Sequence, residues 1–424
     1  MDMRVVITGL GIVAPNGVGL EAFTNAIKKG ISGVKKDVDL ERLQFSCQIS
    51  AKPEVSTELA LQYFSELELR NFNSTGILYG VIAGMDAWKD AGLSIKLDEE
   101  PDWGSGTIFG TGTSGIDKFR ESIYKIDDLQ TRRLGSTAVA QTMNSGISAY
   151  VGGKLGLGNQ VTTNSSACTT GTESILMGFD RIKSGQAKRI LVGSTSDSGP
   201  YIWGGFDAMR VCTFKHNEIP EQGSRPMSAT ASGFVPGSGA GAMILEDLET
   251  ALARGARIYA EVLGGNINSG GQRGLGTMTA PNPIAVQKCI TDAIANAGIN
   301  ANEINAINGH LTATSKDSLE IQNWCEALGR KGNDFPYINS LKSMVGHCLS
   351  AAGSVESVAS VLQLHQGFVF PNINCADLHP EIIDLVDESR IPQQLIETEL
   401  NIIAKASFGF GDVNGCVIFK KFKD

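Results

Sequence analysis

Cys168-Thr-Thr-Gly-Thr-Glu-Ser-Ile-Leu-Met-Gly178 and His347-Cys-Leu-Ser-Ala-Ala-Gly-Ser-Val-Glu-Ser357 are two segments of one chain that follow the same plan. Each comes after a polar turn and opens a helix of small residues, whose slim side chains let other elements approach from several sides. Short β-branched runs alternate with amphipathic segments around both. The first half has runs at Val5 to Thr8, Gly106 to Phe109 and Ile190 to Val192; the second has Ile258 to Leu263, Ile304 to Asn308, Tyr337 to Ser340 and Cys416 to Phe419. That alternation predicts an α/β protein with a parallel or mixed sheet covered by helices. Its repetition predicts two related halves, 1-250 and 251-424, with Ala251 to Arg257 as the helix end and turn between them. No low-complexity linker separates them, so one rigid unit is expected.

Composition bounds the function. A chain of 424 residues is long enough for two cores, and 42% hydrophobic residues with 50 glycines describe a compact protein rich in tight turns. The net charge of -9 speaks against nucleic acid as the main partner. The eight cysteines are scattered without a Cys-x-x-Cys pair, so reduced thiols are expected rather than zinc or a disulfide framework. No stretch offers about 18 consecutive apolar residues and the start lacks a signal-peptide pattern, which predicts a cytoplasmic protein with no membrane span.

Gly9-Leu-Gly11-Ile-Val-Ala14 matches the short dinucleotide fingerprint. Pro15 and Asn16-Gly17 interrupt where its helix should run, and Lys35-Lys36 stands near where its acid is expected. Dinucleotide binding is therefore set aside. Gly110-Thr-Gly112-Thr-Ser-Gly115 lacks the lysine of a phosphate loop and reads as turn geometry.

Three residues with chemistry stand at strand-to-helix junctions, where open α/β sheets form their ligand crevice. Cys168 lies in NSSACTTG before the helical segment Glu173 to Lys183, where unpaired N–H groups and the helix dipole favour a thiolate. His310 ends the strand-like Ile304 to Asn308, and His347 follows Ile338 to Gly346. A nucleophilic thiol with two imidazoles suits acyl transfer.

NSSACTTG, INSLKSMVGHCLSAAGSVE (338–356) and SFGFG (407–411), in this order and spacing, resemble the signatures of elongating, Cys-His-His β-ketoacyl-acyl carrier protein synthases. GFVPGSGAGAMILEDLETALARGARIYAEVLG (233–264) and FPNIN (370–374) are similar to the same family, so the resemblance covers nearly the whole chain. It implies the thiolase-like fold, two pseudo-duplicated α/β halves layered α-β-α-β-α. It further implies a decarboxylative condensation between an acyl group held on Cys168 and malonyl-acyl carrier protein, with His310 and His347 on the enolate oxygen and no metal or organic cofactor. The oxyanion would meet the backbone N–H groups of Cys168 and Phe410.

The resemblance also assigns supporting roles. Lys342 and Glu320 would pair to position the histidine loops, and Thr312 and Thr314 would hold the pantetheine arm. Phe410 would gate the site, Phe206 and Phe234 would line it, and Thr113 would set the far end of the acyl pocket. Arg132 and Arg133 would contact the acidic carrier protein. A homodimer is expected, with a heterodimer as the alternative: a chain-length-determining partner shares the fold, but such partners commonly lack the nucleophile. Thiolase-like cleavage would use a second cysteine where His347 stands.

Four positions depart from the family pattern: Leu311 and Ala313 in the loop after His310, Ser232 before Gly233-Phe234, and Asp412 after Gly-Phe-Gly. Leucine enters φ > 0 at a cost, so the His310 loop must use other torsions or store strain.

Overall fold

The computed structural model describes residues 3–95 and 100–423. Ten strands build its central sheet: β1 Val5–Ala14, β2 Ser105–Thr111, β3 Val161–Thr162, β4 Arg189–Ser196, β5 Gly239–Asp247, β6 Ala260–Ser269, β7 Ala306–Asn308, β8 Tyr337–Asn339, β9 Ile402–Gly409 and β10 Val413–Lys421. A short strand, Gly17–Val18, adds to the side of β1. Across the first half the order is β1-β5-β4-β2-β3, and across the second β6-β10-β9-β7-β8. The directions repeat as well: two antiparallel pairs, then two parallel pairs, in each half. The duplication expected from the paired segments is thus present strand for strand.

The halves share a seam, where β1 and β6 pair antiparallel through Val5 with Val262, Val6 with Glu261 and Ile7 with Ala260. Helices α1 Thr75–Asp90 and α2 Gly146–Leu155 cover the outside of the first half, and α4 Pro283–Asn296 and α5 Asp317–Leu328 that of the second. Between the two halves lie α3 Thr170–Lys183 and α6 Ala352–Gln366, each touching strands of both. That is the α-β-α-β-α layering. Small residues help make it possible: α6 is buried from Ala352 to Leu364, and its alanine, glycine and serine positions let neighbouring elements approach closely.

Gly9 and Gly11 lie inside β1, not in a phosphate-binding turn. A Cβ on Gly9 would stand 2.2 Å from Ala87 O and one on Gly11 1.9 Å from Ala83 O, so the glycines exist to let α1 rest on the strand. The longer parallel strands β2, β4 and β9 are buried along almost their whole length, small polar residues included, because helices cover both faces. Their C-terminal ends, after β2, β7 and β8, open towards the central helices, and the chemistry gathers there.

Candidate active site

Cys168 sits in a single 3₁₀ turn, Ala167–Thr169, that runs into α3. Ala167 holds φ +50°. The turn is fixed by Thr170, whose hydroxyl donates to Ala167 O (2.7 Å) and accepts from Ser166 N (2.9 Å). Cys168 is 8% exposed. Burial pushes its thiol up from the ordinary value, while Lys342 and the backbone N–H of Phe410 pull it down. This corrects the expectation of a ready thiolate: a helix terminus contributes about 0.3–1 kcal/mol, rising to about 2, against several kcal/mol for burying an ion.

His310 leaves the end of β7 and His347 follows Gly346, which has φ +62°. Both are buried, their ring centroids 5.4 Å apart. One donor atom from each of Cys168, His310 and His347 falls within a group spanning 4.8 Å, and no other trio of His, Cys, Asp or Glu converges as tightly among the described residues. Each Nδ1 faces a donor: Leu349 N at 3.2 Å for His347, and the Lys342 ammonium at 3.4 Å for His310. Backbone N–H and ammonium only donate, so each ring carries its proton on Nε2. Burial, reinforced by Lys342, drives both imidazoles well below their ordinary value. At neutral pH the site therefore offers two uncharged N–H donors beside a sulfur atom.

The expected Lys342–Glu320 pair is not formed. Lys342 pairs with Glu356 of α6, both fully buried. Glu320 instead accepts the backbone N–H groups of His310 and Leu311, each at 2.7 Å, and so shapes the histidine loop directly. Burial raises its carboxyl to about 7 against those two hydrogen bonds. Asp317 does the same one step on, accepting from Thr312 N (3.0 Å), Ala313 N (3.1 Å) and Met227 N (2.9 Å), and burial raises it to about 6. Between these carboxylates the loop runs with Leu311 at φ +20° and Ala313 at φ +62°, so it does store the strain its sequence implied.

Two cavities meet at the sulfur. One, of about 270 Å³, runs from Cys168, His310 and His347 out past Thr312 and Thr314 to Thr279. The other, of about 240 Å³, lies behind Cys168 and reaches Thr113, Ile116, Tyr201 and Ile202. Phe206, Leu349 and Phe410 border both. Phe206 packs against Phe410 (centroids 5.9 Å) and Phe234 (5.7 Å), and Phe234 against His347 (5.2 Å). Asp412, at φ +62° and buried, accepts from Gln272 N (2.9 Å) and Asn282 N (2.8 Å), fastening the segment at the outer rim to the Phe410 turn. Ser232 meets the Thr213 hydroxyl at 2.7 Å. Arg132 and Arg133 are exposed on a short turn and line neither cavity.

Sequence reasoning missed Glu356, Asp317 and Lys405. Glu356 and Lys405 stand among small or apolar neighbours, the one signal that could have drawn attention to them, whereas Asp317 lies in a polar stretch that marks nothing.

The Beta-ketoacyl synthase N-terminal domain model matches residues 2–251, and the C-terminal domain model residues 259–376. The chain belongs to the β-ketoacyl synthase family. It is 32% identical over 429 residues to the 3-oxoacyl-[acyl-carrier-protein] synthase 2 of Vibrio harveyi, covering 99% of each chain. Among solved structures it is similar to the ishigamide ketosynthase/chain length factor (TM-score 0.87, 25% identity, 100% of both chains). It is also similar to AntDE:AntF, a type II PKS acyl-carrier protein in complex with its ketosynthase bound to the hexaketide (TM-score 0.87, 28% identity, 100% of both chains). The fold is thiolase-like and this β-ketoacyl synthase is an acyltransferase. Among its described residues no helix is long and apolar enough to cross a membrane.

Proposed function

We propose that the chain condenses an acyl group carried on Cys168 with malonyl-acyl carrier protein, giving β-ketoacyl-acyl carrier protein and carbon dioxide. The observation that carries this reading is the convergence of one sulfur and two Nε2–H imidazoles where two cavities join. In the first step Cys168 Sγ attacks the carrier thioester carbonyl, the C–S bond to pantetheine breaks, and the thiol proton leaves with the pantetheine sulfur. The N–H groups of Cys168 and Phe410, which face Sγ, take the oxyanion. In the second step the malonyl C–C bond breaks, carbon dioxide departs, and the electron pair is held as an enolate whose oxygen meets Nε2–H of His310 and His347. Its carbon attacks the acyl group, and Cys168 sulfur leaves and regains a proton.

The remaining assignments follow the cavities. Thr312 and Thr314 hold the pantetheine arm, the chamber reaching Thr113 takes the acyl chain, and Phe410 with Phe206 forms the partition that must shift to admit it. Phe234 backs His347. Arg132 and Arg133 are available on the surface for the acidic carrier. Phe119, Ile123, Leu129 and Val139 are exposed apolar side chains in the segment that follows Thr113 and Ile116 of that chamber, which suits pairing with a second copy of the chain. A chain-length partner in its place is the alternative, favoured by the likeness to the ishigamide complex. Eight free cysteines suit the reducing cytoplasm.

The test is mass spectrometry of the protein after incubation with acyl carrier thioesters of graded length, followed by malonyl carrier protein, with sedimentation to read the assembly. We expect an acyl adduct on Cys168 that malonyl carrier discharges, and neither event in Cys168→Ala. A wild-type protein that turns over without an adduct would overturn the reading.

A further inference from the structure

Lys405 lies on β9 with no exposed surface, opposite Asn308 of β7 and two residues before Ser407. A lysine is almost never fully buried unless matched. Its ammonium stands 2.7 Å from Glu356 Oε2, while Lys342 takes Oε1. It also donates to Ala406 O and, at 2.7 Å, to Ser407 Oγ, which meets Thr172 Oγ1 at 2.9 Å. A continuous polar chain therefore runs Thr172, Ser407, Lys405, Glu356, Lys342, His310. It joins the helix that begins at the nucleophile to the first histidine, through the buried interior.

We propose that Lys405 is a positioning residue for the condensation: it holds Glu356 from the side opposite Lys342 and so keeps the Lys342 ammonium against Nδ1 of His310. The proposal rests on the reading of Cys168, His310 and His347 as the reacting groups. With one ammonium per carboxylate oxygen, Lys342 has no reason to move. Glu356 Oε2 accepts no well-aligned hydrogen bond, so the Lys405 ammonium at 2.7 Å is what offsets its charge, and without Lys405 it becomes a buried half-charge with no partner. The nearest remedy is for Lys342 to swing across both oxygens, away from a contact with His310 already at 3.4 Å. His310 would then lose the donor that fixes its tautomer, and with it the Nε2–H aimed at the enolate.

The electrostatics matter too. Burial pulls the Lys405 ammonium below its ordinary value, while Glu356 and Glu320 hold it up. The other groups facing His310 are His347, Cys168 and, from α5, Glu320 and Asp317. Lys405 adds to the downward pull on His310 and His347, and Glu320 acts on Lys405 in return.

The test compares wild type, Lys405→Met and Lys405→Gln for malonyl-carrier decarboxylation and condensation across pH, with Cys168 acylation measured separately. We expect kcat to fall roughly ten- to hundredfold, less than the about 10²–10³ for losing an oxyanion donor outright. KM for malonyl carrier and formation of the acyl adduct should persist, and the acid limb should move to higher pH. Isotope-labelled histidine spectra should place the His310 proton on Nε2 in wild type and on both nitrogens in the variants. If the Met variant does not fold, as read from thermal melting, the Gln variant and the wild-type spectrum carry the test. Wild-type kcat and acid limb in a folded variant, or a proton on His310 Nδ1 in wild type, overturn the proposal. A wild type that never acylates Cys168 overturns the functional reading instead.

Discussion

Gly171 of α3 and Gly353 of α6 meet where the two central helices cross. A Cβ on Gly171 would stand 2.2 Å from Ser354 N, and one on Gly353 2.6 Å from Thr172 N. The crossing sets how far the Cys168 turn lies from the turn after His347. We expect Gly171→Ala and Gly353→Ala each to lower stability by about 1–3 kcal/mol, because backbone atoms cannot step aside as a flexible side chain can. Gly153→Ala on α2, where a Cβ meets open space, should instead gain about 0.5–1 kcal/mol. Urea midpoints for the three variants decide it.

Glu320 gives the pH dependence. Its folded value near 7 lies above its ordinary value of 4.5. The folded state thus holds the proton more tightly, and this group favours the fold at low pH, a contribution lost as pH rises through about 7. Activity should run the other way, since only the carboxylate accepts both His310 and Leu311 N–H groups at full strength. A kcat limb falling below about pH 7 is expected, and the histidines, held well below their ordinary value, do not supply it. Glu320→Gln should be slower and flat from about pH 6 to 8; a persisting limb would assign it elsewhere.

Asp412 trades strain for two hydrogen bonds. Its left-handed backbone costs about 1–2 kcal/mol, whereas hydrogen bonds to a carboxylate contribute about 1.5–3 kcal/mol each. Asp412→Gly should therefore loosen the segment Gly270 to Asn282, seen as faster hydrogen exchange there. KM for the carrier should rise, because Thr279, Ala280 and Pro281 of that segment line the outer cavity.

Leu311 poses the same contest with the opposite contents. Glycine would relieve about 1–2 kcal/mol of backbone strain, but Leu311 is fully buried in the core of the second half, and emptying such a site costs about 2–5 kcal/mol. Leu311→Gly should lose stability on balance. A rise in the thermal midpoint would mean that strain dominates.

The sheet was legible where β-branched residues cluster, as in Ile190 to Val192, and hidden where they thin out. β9, IIAKASFG, mixes a lysine, a serine and a glycine into a buried strand, so neither the strand nor the burial of Lys405 is marked in the sequence. Cys168, His310 and His347 were legible because junctions of strand and helix mark a crevice. The partner of Lys342 was not: Glu320 and Glu356 are both acids in neighbouring motifs, and only the folded path of α6 decides between them. Burial likewise reversed the sign expected for the Cys168 thiol, since a helix start can be read from sequence but desolvation cannot.

The seam has a consequence for how the chain is made. β1 is made long before its two long neighbours, β5, pairing Val5 with Asp247, and β6, pairing Val5 with Val262; the two-residue strand Gly17–Val18 is its one local partner. Synthesis at roughly 5–20 residues per second leaves Val5 to Ile7 without either flank until roughly 240 further residues have been made. Nascent chains of this protein should therefore depend on chaperone shelter until β5 and β6 have been made, and closure of the sheet should come late and slowly, as contacts of such long range require.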